Sequence, residues 1–380
     1  MKSFNKNIKF KSQLIILSFA IFTFFSCTTT NHKGSEKHSD NIVSIMAYNV
    51  ENLFDTLHDE NREDYSYLPL EVKRKSLTHK KNCELTSSRY LDSCLNDDWS
   101  EAALDLKMKR LSDAILQVNG GKGPDILILE EVENKNVLTQ LNDKYLKNAN
   151  YKTVVLIEGP DKRGIDIGFL SRLNLIESEQ PQLHKIPYVA KNENDKEWMS
   201  RSRGILQVNF KLPDNNPLTI FGVHFPSPSN PRYWREQAIA HLNKLKSNLP
   251  KDRMAIAGGD FNISFEENSQ AKHYENSLSS QWQVSHLVGC KGCQGTNYYH
   301  RKTSWSFLDA LLFSKELSKD GSAPWALDPE SIYIPNNSKY QVNRWLSPAR
   351  FNQKSPVGVS DHWPIFAWIV KKDVKTDSPK

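Results

Sequence analysis

The chain of 380 residues carries 50 Lys and Arg against 44 Asp and Glu, with 38% hydrophobic and 10% aromatic residues; this excludes a disordered or collagenous protein and leaves room for a sizeable core. The formal charge of +6 does not by itself indicate nucleic acid, because Lys2, Lys6, Lys9 and Lys11 fall in the first 26 residues, which contain no acid. The remainder is nearly neutral, so an anionic partner must be met by a local site rather than by bulk charge.

In chain order, lysines in residues 1–13, an apolar run from Leu14 to Phe25 and Ser26-Cys27 give the three-part layout of a secretory signal. The apolar run is about a dozen residues, short of the ~20 that cross a bilayer as a helix. The small residue before Cys27 and the polar run after it resemble the lipobox of bacterial lipoproteins. Residues 1–26 are therefore expected to be removed, with lipidated Cys27 and a polar tether (27–41) placing the protein at a bacterial envelope, on the outer membrane or secreted. In an oxidising compartment the remaining cysteines favour disulfides, Cys83 with Cys94 and Cys290 with Cys293 by sequence proximity. A zinc site at Cys290 and Cys293, or free buried thiols, stay open as alternatives.

One α/β domain is expected over 42–372, with a tail at 373–380. Ile42–Tyr48 reads as a buried strand ending at Asn49-Val50-Glu51. Residues 57–99 are polar and cysteine-bearing and read as an insertion without a core signal. Leu104, Met108, Leu111 and Ile115 fall at helical spacing after the expected cap Ser100, and Gly120-Gly121 ends the pattern. Asp125–Leu129 is a second buried strand, delivering Glu130-Glu131. Similar runs recur at Ile165–Leu170, Leu218–Val223, Met254–Ala257, Leu308–Phe313 and Pro364–Val370. Asn230-Pro231 is expected to cap and open a helix through Arg235 and Ala240.

Chemistry-bearing residues gather at the ends of these runs: Asn49, Glu131, His224, Asp260 and Asn262, Asp309, and Asp361-His362. Loops at strand ends are where sites are built. Glu131, Asn49 and Asp361 offer hard oxygen ligands that suit Mg2+ or Mn2+ better than zinc. Asp260 can deprotonate a water, Asn262 can hold it, and His362 can donate to a phosphoryl oxygen, a set that matches metal-assisted phosphate-ester hydrolysis. Taken singly each has a plain alternative, such as a turn at Gly258-Gly259 or a core histidine at position 224.

Tyr48-Asn49-Val50-Glu51-Asn52-Leu53-Phe54, Asp125 to Val132, Gly259-Asp260-Phe261-Asn262, Ser306-Phe307-Leu308-Asp309 and Ser360-Asp361-His362-Trp363-Pro364 together resemble, in order, the motifs of the endonuclease/exonuclease/phosphatase (DNase I-like) superfamily. The resemblance implies a four-layer α/β sandwich, two packed sheets flanked by helices. It implies Glu131 as principal metal ligand with Asn49 beside it and Asp361 lining the same site. Asp260 would activate the attacking water, Asn262 would align it, and His362, oriented by Asp309, would contact the phosphate opposite His224. Arg163 and Asp166 lie where the family often has a further phosphate-side residue or a carboxylate partner of the first histidine. Two departures stand out: Glu130 replaces the usual glutamine, and Asn49 and Glu131 are unusually far apart in sequence.

Fold does not settle the substrate. Tyr298, Tyr299, His300, Arg301, Lys302 and Trp305, with Arg232-Tyr233-Trp234-Arg235, interleave aromatic and basic residues as a nucleic-acid groove would. The favoured expectation is a Mg2+-dependent nuclease, with nucleic acid as substrate, the membrane met through the lipid, and no protein partner evident. A phospholipid or inositol-phosphate phosphoesterase and a non-catalytic binding lipoprotein are the alternatives.

Overall fold

The computed structural model describes residues 40–86 and 88–372. The expected signal segment, Cys27, most of the tether and the 373–380 tail lie outside the described residues. Among the described residues no helix is long and apolar enough to cross a membrane.

The first sheet is built from β1 (Ile42–Leu53), β2 (Ile126–Val132), β3 (Thr153–Leu156) and β4 (Asp166–Ser171), joined by two strands from the C-terminal part of the chain. The second uses β5 (Gln182–His184), β6 (Ile205–Lys211), β7 (Pro217–His224), β8 (Met254–Asp260) and β9 (Trp282–Val284). A short hairpin follows, β10 (Asn297–Tyr299) with β11 (Ser304–Ser306), then β12 (Asp309–Ser314), β13 (Trp325–Tyr333) and β14 (Ile365–Lys371). The strand orders are β13-β14-β1-β2-β4-β3 and β5-β6-β7-β8-β12-β9.

The alternation of strand side chains explains the layering. Along β1, Val43, Ile45 and Ala47 join Ile128, Ile220, Ile256 and Leu311 in a core between the sheets. Met46 and Tyr48, on the opposite face, are covered by Leu104, Leu111 and Ile115 of a helix after the insertion and by Val137 and Leu141 of the helix after β2. Both faces are buried, so the strands read as continuous apolar runs. The outer face of the second sheet, with Phe221 and Val223, is covered by Ala238, Ile239 and Leu242. The result is the four-layer sandwich expected from the sequence.

The insertion is more ordered than its composition suggests. It folds into α1 (Leu70–Lys75), α2 (His79–Glu84) and α3 (Ser88–Asn96), followed by α4 (Glu101–Leu116), α5 (Lys135–Tyr145), α6 (Glu193–Ser200) and α7 (Arg232–Ser247) along the chain. Cys83 and Cys94 form a disulfide inside the insertion, and Cys290 pairs with Cys293. In place of an aliphatic core the insertion has aromatic anchors. Tyr67 stacks on Phe54 at 3.9 Å, and Trp99 meets Tyr67 and Phe351 edge-on.

Ser100 is the cap residue of α4, as expected, though its side chain makes no cap hydrogen bond; the start of α7 differs from expectation. Pro231, with φ −54° and ψ 137°, is itself the cap of α7 rather than its first helical residue. Its extended ψ holds it outside the helix, and Asn230 turns to Ser227 instead.

Candidate active site

The sheet registers bring the chemistry to one edge. β1 and β2 are parallel, as are β7 and β8, and the carboxyl ends of β1 and β8 meet where Asn49 Nδ2 donates to Asp260. Across the second sheet His224 pairs in register with Asp260, and Asp260 with Asp309. Across the first, Asn49 pairs with Glu130.

A register shift between Glu130 and Val132 lets two neighbouring glutamates serve different places. Glu131 adopts φ +65°, an uncommon conformation for a residue with a side chain, and is partly exposed, whereas Glu130 is fully buried. Glu51, Asn52 and Asn262 share this left-handed backbone, so backbone strain clusters at the site. Gly258 and Gly259 belong to β8 rather than to a turn. Gly259 has φ +135°, and a Cβ there would lie 2.1 Å from the Val223 carbonyl oxygen and 2.7 Å from Glu130.

Asp260 is the hub. Asn49 Nδ2 donates to its Oδ2 at 3.1 Å, Asn262 Nδ2 to the same oxygen at 3.1 Å, and the Asn262 amide to Oδ1 at 2.8 Å. Burial, then the neighbouring Asp309 carboxylate, pushes the Asp260 pKa up to about 7. Asp309 Oδ2 lies 2.7 Å from His362 Nδ1. Burial alone would lower the imidazole, but Asp309, with Asp260 and Asp361, outweighs it and holds His362 cationic well above its usual range. His224 is the opposite case: burial, then Arg203, Arg163 and His362, keeps it neutral. Its Nε2 lies 3.6 Å from Asp260 and 3.9 Å from Glu131.

The geometry orients Asn49 and revises two expected roles. Asn49 Oδ1 accepts the Glu51 amide at 3.0 Å, which fixes the orientation of the side-chain amide so that Nδ2, not oxygen, approaches Glu131 at 3.5 Å. As placed, Asn49 turns its amide nitrogen toward the carboxylates of Glu131 and Asp260. Asp166 does not partner His224, because Oδ1 accepts the Gly159 amide at 2.8 Å and so pins the β3–β4 turn. The Arg232–Arg235 segment offers no groove. Trp234 and Arg235 are buried, and Arg235 binds Glu267 and the carbonyls of Pro226 and Ser227, bracing the loop after His224.

Arg163 is exposed and donates to Asn52 Oδ1 at 3.2 Å, with Glu131 acting on its charge. Asp361 is partly exposed, 3.4 Å from Arg350. The remaining members carry no local sequence signal. Arg203 Nη1 lies 3.0 Å from His224 Nε2, and Arg350 pairs with Glu51 and Asp361. Buried Lys107 donates to the carbonyls of Glu51 and Val359. A cleft of about 320 Å³ opens beside Asn52 and Arg350, walled by Tyr67, Asp97 and Phe351.

The donor chemistry fits a hard divalent cation. Glu131, Asp361 and Glu51 all act electrostatically on Arg350 and Lys107, and among the described residues no thiolate is near, since Cys83, Cys94, Cys290 and Cys293 are paired.

Comparison with known proteins agrees with this fold. TDP2 of D. rerio, solved with a single-strand DNA product, superposes with TM-score 0.51 and 14% identity over 86% of this chain and 98% of that one. An endonuclease/exonuclease/phosphatase family protein from Bacteroides thetaiotaomicron gives TM-score 0.52 and 13% identity over 87% and 98%. The Bacteroides thetaiotaomicron mannosyl-6-phosphatase gives 0.50 and 13% over 86% and 99%. These likenesses establish the fold alone. Comparison by sequence with curated proteins returns no match. The model of the Endonuclease/Exonuclease/phosphatase family matches residues 78–371. The chain thus belongs to the endonuclease/exonuclease/phosphatase family and carries the fold of a divalent-metal phosphoester hydrolase.

Proposed function

We propose that the protein is a Mg2+-dependent nuclease, cleaving phosphodiesters of nucleic acid at a bacterial envelope to which lipidated Cys27 tethers it. The observation that carries the substrate reading is an aromatic and basic platform joined to His362. Asn297 forms a β-bridge with His362 and donates to the Asp361 carbonyl. From that anchor the β10–β11 hairpin presents Tyr298, half-exposed Tyr299, His300 and Trp305, and Trp345 stands 61% exposed with Arg344 over its ring at 4.0 Å. Stacking faces beside cations suit a polynucleotide strand. Among the solved relatives, TDP2 carries a DNA product and another is a mannosyl-6-phosphatase, so phosphomonoesters belong in the test.

Glu131 and Asp361 would hold the cation, which when bound neutralises charge on a phosphoryl oxygen. Asp260, aimed by Asn49 and Asn262, takes a proton from the attacking water. His362 donates through Nε2 because Asp309 holds Nδ1. Neutral His224, in contact with Arg203, lines the opposite wall.

The test is hydrolysis of plasmid DNA, RNA, sphingomyelin vesicles and mannose 6-phosphate in parallel, with Mg2+ or EDTA. Nucleic acid alone is expected to turn over, and Trp345→Ala is expected to raise KM about 5- to 100-fold, one stacked base lost, with kcat nearly unchanged. Turnover confined to lipid or to the sugar phosphate contradicts the substrate reading.

A further inference from the structure

Between β13 and β14 the chain doubles back in a tight loop whose tip carries Trp345 and Leu346. A bridge between Val342 and Pro348 closes its base, and the Ala349 amide donates to the Gln341 carbonyl at 2.9 Å. Asn343 holds the tip. Its Oδ1 accepts the Trp345 amide at 2.9 Å, its Nδ2 donates to Ser347 Oγ at 2.8 Å and to the Pro348 carbonyl at 3.0 Å, and its own carbonyl accepts the Leu346 amide at 3.0 Å. The loop is fastened to the active site, because Trp363, next to His362, donates its indole N–H to the Gln341 carbonyl at 3.1 Å.

An exposed leucine alone carries no information. Leu346 differs in its backbone, which has φ +58°, a conformation that a Cβ penalises and that glycine or asparagine usually occupies. It is 75% exposed, and among the described residues it belongs to none of the hydrophobic cores. Strain kept without a packing gain points to a functional position. Ring contacts run from the tip to the active site: Trp345 to His300 at 5.7 Å, His300 to Tyr298 at 4.9 Å, Tyr298 to Trp305 at 5.2 Å and Trp305 to Trp363 at 5.0 Å. The tip is therefore the outer end of the aromatic platform and not an isolated patch. The Arg344 cation over the Trp345 ring draws a phosphate backbone to it.

We propose that Leu346 is a wedge: held out rigidly beside Trp345, it enters between neighbouring bases of the bound nucleic acid and unstacks that step, and Trp345 stacks on the base so exposed. This rests on nucleic acid being the substrate and adds which kind. An apolar wedge enters steps that are flexible or mismatched at small cost and stiff duplex at large cost. The enzyme therefore acts preferentially where stacking is weak, and stiff A-tracts are poor substrates.

The test uses the full chain and short DNA duplexes in which 2-aminopurine, a base that brightens when unstacked, is placed in turn at each position around the cleavage site. In an Asp260→Asn background, chosen to slow cleavage, fluorescence is expected to rise at one step, and adding Leu346→Asn to abolish the rise. Asparagine accepts the left-handed backbone, so Tm is expected to stay level or to increase. In the otherwise native chain Leu346→Asn is expected to lower kcat/KM on fully paired duplex about 5- to 100-fold, and a mismatch at that step, already unstacked, to restore most of the loss. Leu346→Gly is expected to behave alike. Wild type that cleaves no nucleic acid removes the nuclease reading and the wedge with it. Cleavage by wild type without a fluorescence rise, or cleavage that both substitutions leave intact, overturns the wedge alone. So does a fall in Tm in both variants, which would make Leu346 a packing residue, or a loss of binding to phospholipid vesicles with cleavage intact, which would assign the tip to a lipid surface.

Discussion

Two buried acids at the active site have opposite fates, and the difference is their partners. Asp309 meets His362 at 2.7 Å and charges it. Asp309→Asn removes that charge but keeps the shape, so the His362 pKa falls toward its ordinary value. The expected loss in kcat is about 10²- to 10⁴-fold, with KM little changed. Steady-state kinetics beside an NMR titration of His362 check this, and an unchanged His362 titration contradicts it. Glu130 has no hydrogen bond to either oxygen, and burial, then Asp309 and Asp260, holds it protonated well above 4.5. Above its ordinary value of 4.5 the unfolded chain has lost this proton while the folded chain still holds it. Stability therefore falls as pH rises until the folded group also ionises, by up to about 1.4 kcal/mol per unit. Glu130→Gln removes that slope, so melting of wild type and variant should diverge as pH rises above this value. Parallel curves would show Glu130 to be ionised in the fold.

Among the elements, those with a local signal were legible. The apolar runs at 42–48, 125–129 and 254–257 are strands, and the helical spacing at 104–116 is a helix. The same logic explains the failures. The insertion is anchored by Tyr67 and Trp99 against Phe54 and Phe351, contacts without periodicity. Arg203, Arg350 and Lys107 reach the site only through tertiary packing. The amide orientation of Asn49 depends on a hydrogen bond from Glu51. Asp260, Asp309 and His362 were legible because each sits at a strand end within a motif. The Gly258-Gly259 pair, for which a turn was the plain alternative, belongs to a strand that another strand's backbone approaches closely. Gly259→Ala is therefore expected to cost about 2–4 kcal/mol, read as a shift of the urea midpoint; a cost below ~0.5 kcal/mol contradicts the close approach to Val223.

At the scale of the whole molecule, two sheets each contribute a parallel strand pair, and stacking the sheets closes the site from both. Asn49 and Glu131 come from one sheet, and His224, Asp260 and Asp309 from the other. Asp361 and His362 precede β14 and return beside β1, where the Ser360 hydroxyl holds the Asn49 carbonyl at 2.7 Å. A core substitution that shifts the sheets relative to one another should therefore cost activity as well as stability. Leu311→Ala, between the sheets, is expected to lose about 2–5 kcal/mol and to lower kcat at temperatures where the protein remains folded; unchanged kcat there would mean that the sheets hold the site independently. Metal-dependent phosphodiester hydrolysis with Asp260 as the base is tested most directly by the rate of plasmid nicking by wild type and Asp260→Asn across pH 5–9, with Mg2+ and with EDTA. Cleavage is expected only with Mg2+, rising with pH to a plateau whose midpoint lies at or below about 7, with a loss of at least ~10²-fold in Asp260→Asn. Nicking that persists in EDTA, or that Asp260→Asn leaves intact, rules this chemistry out.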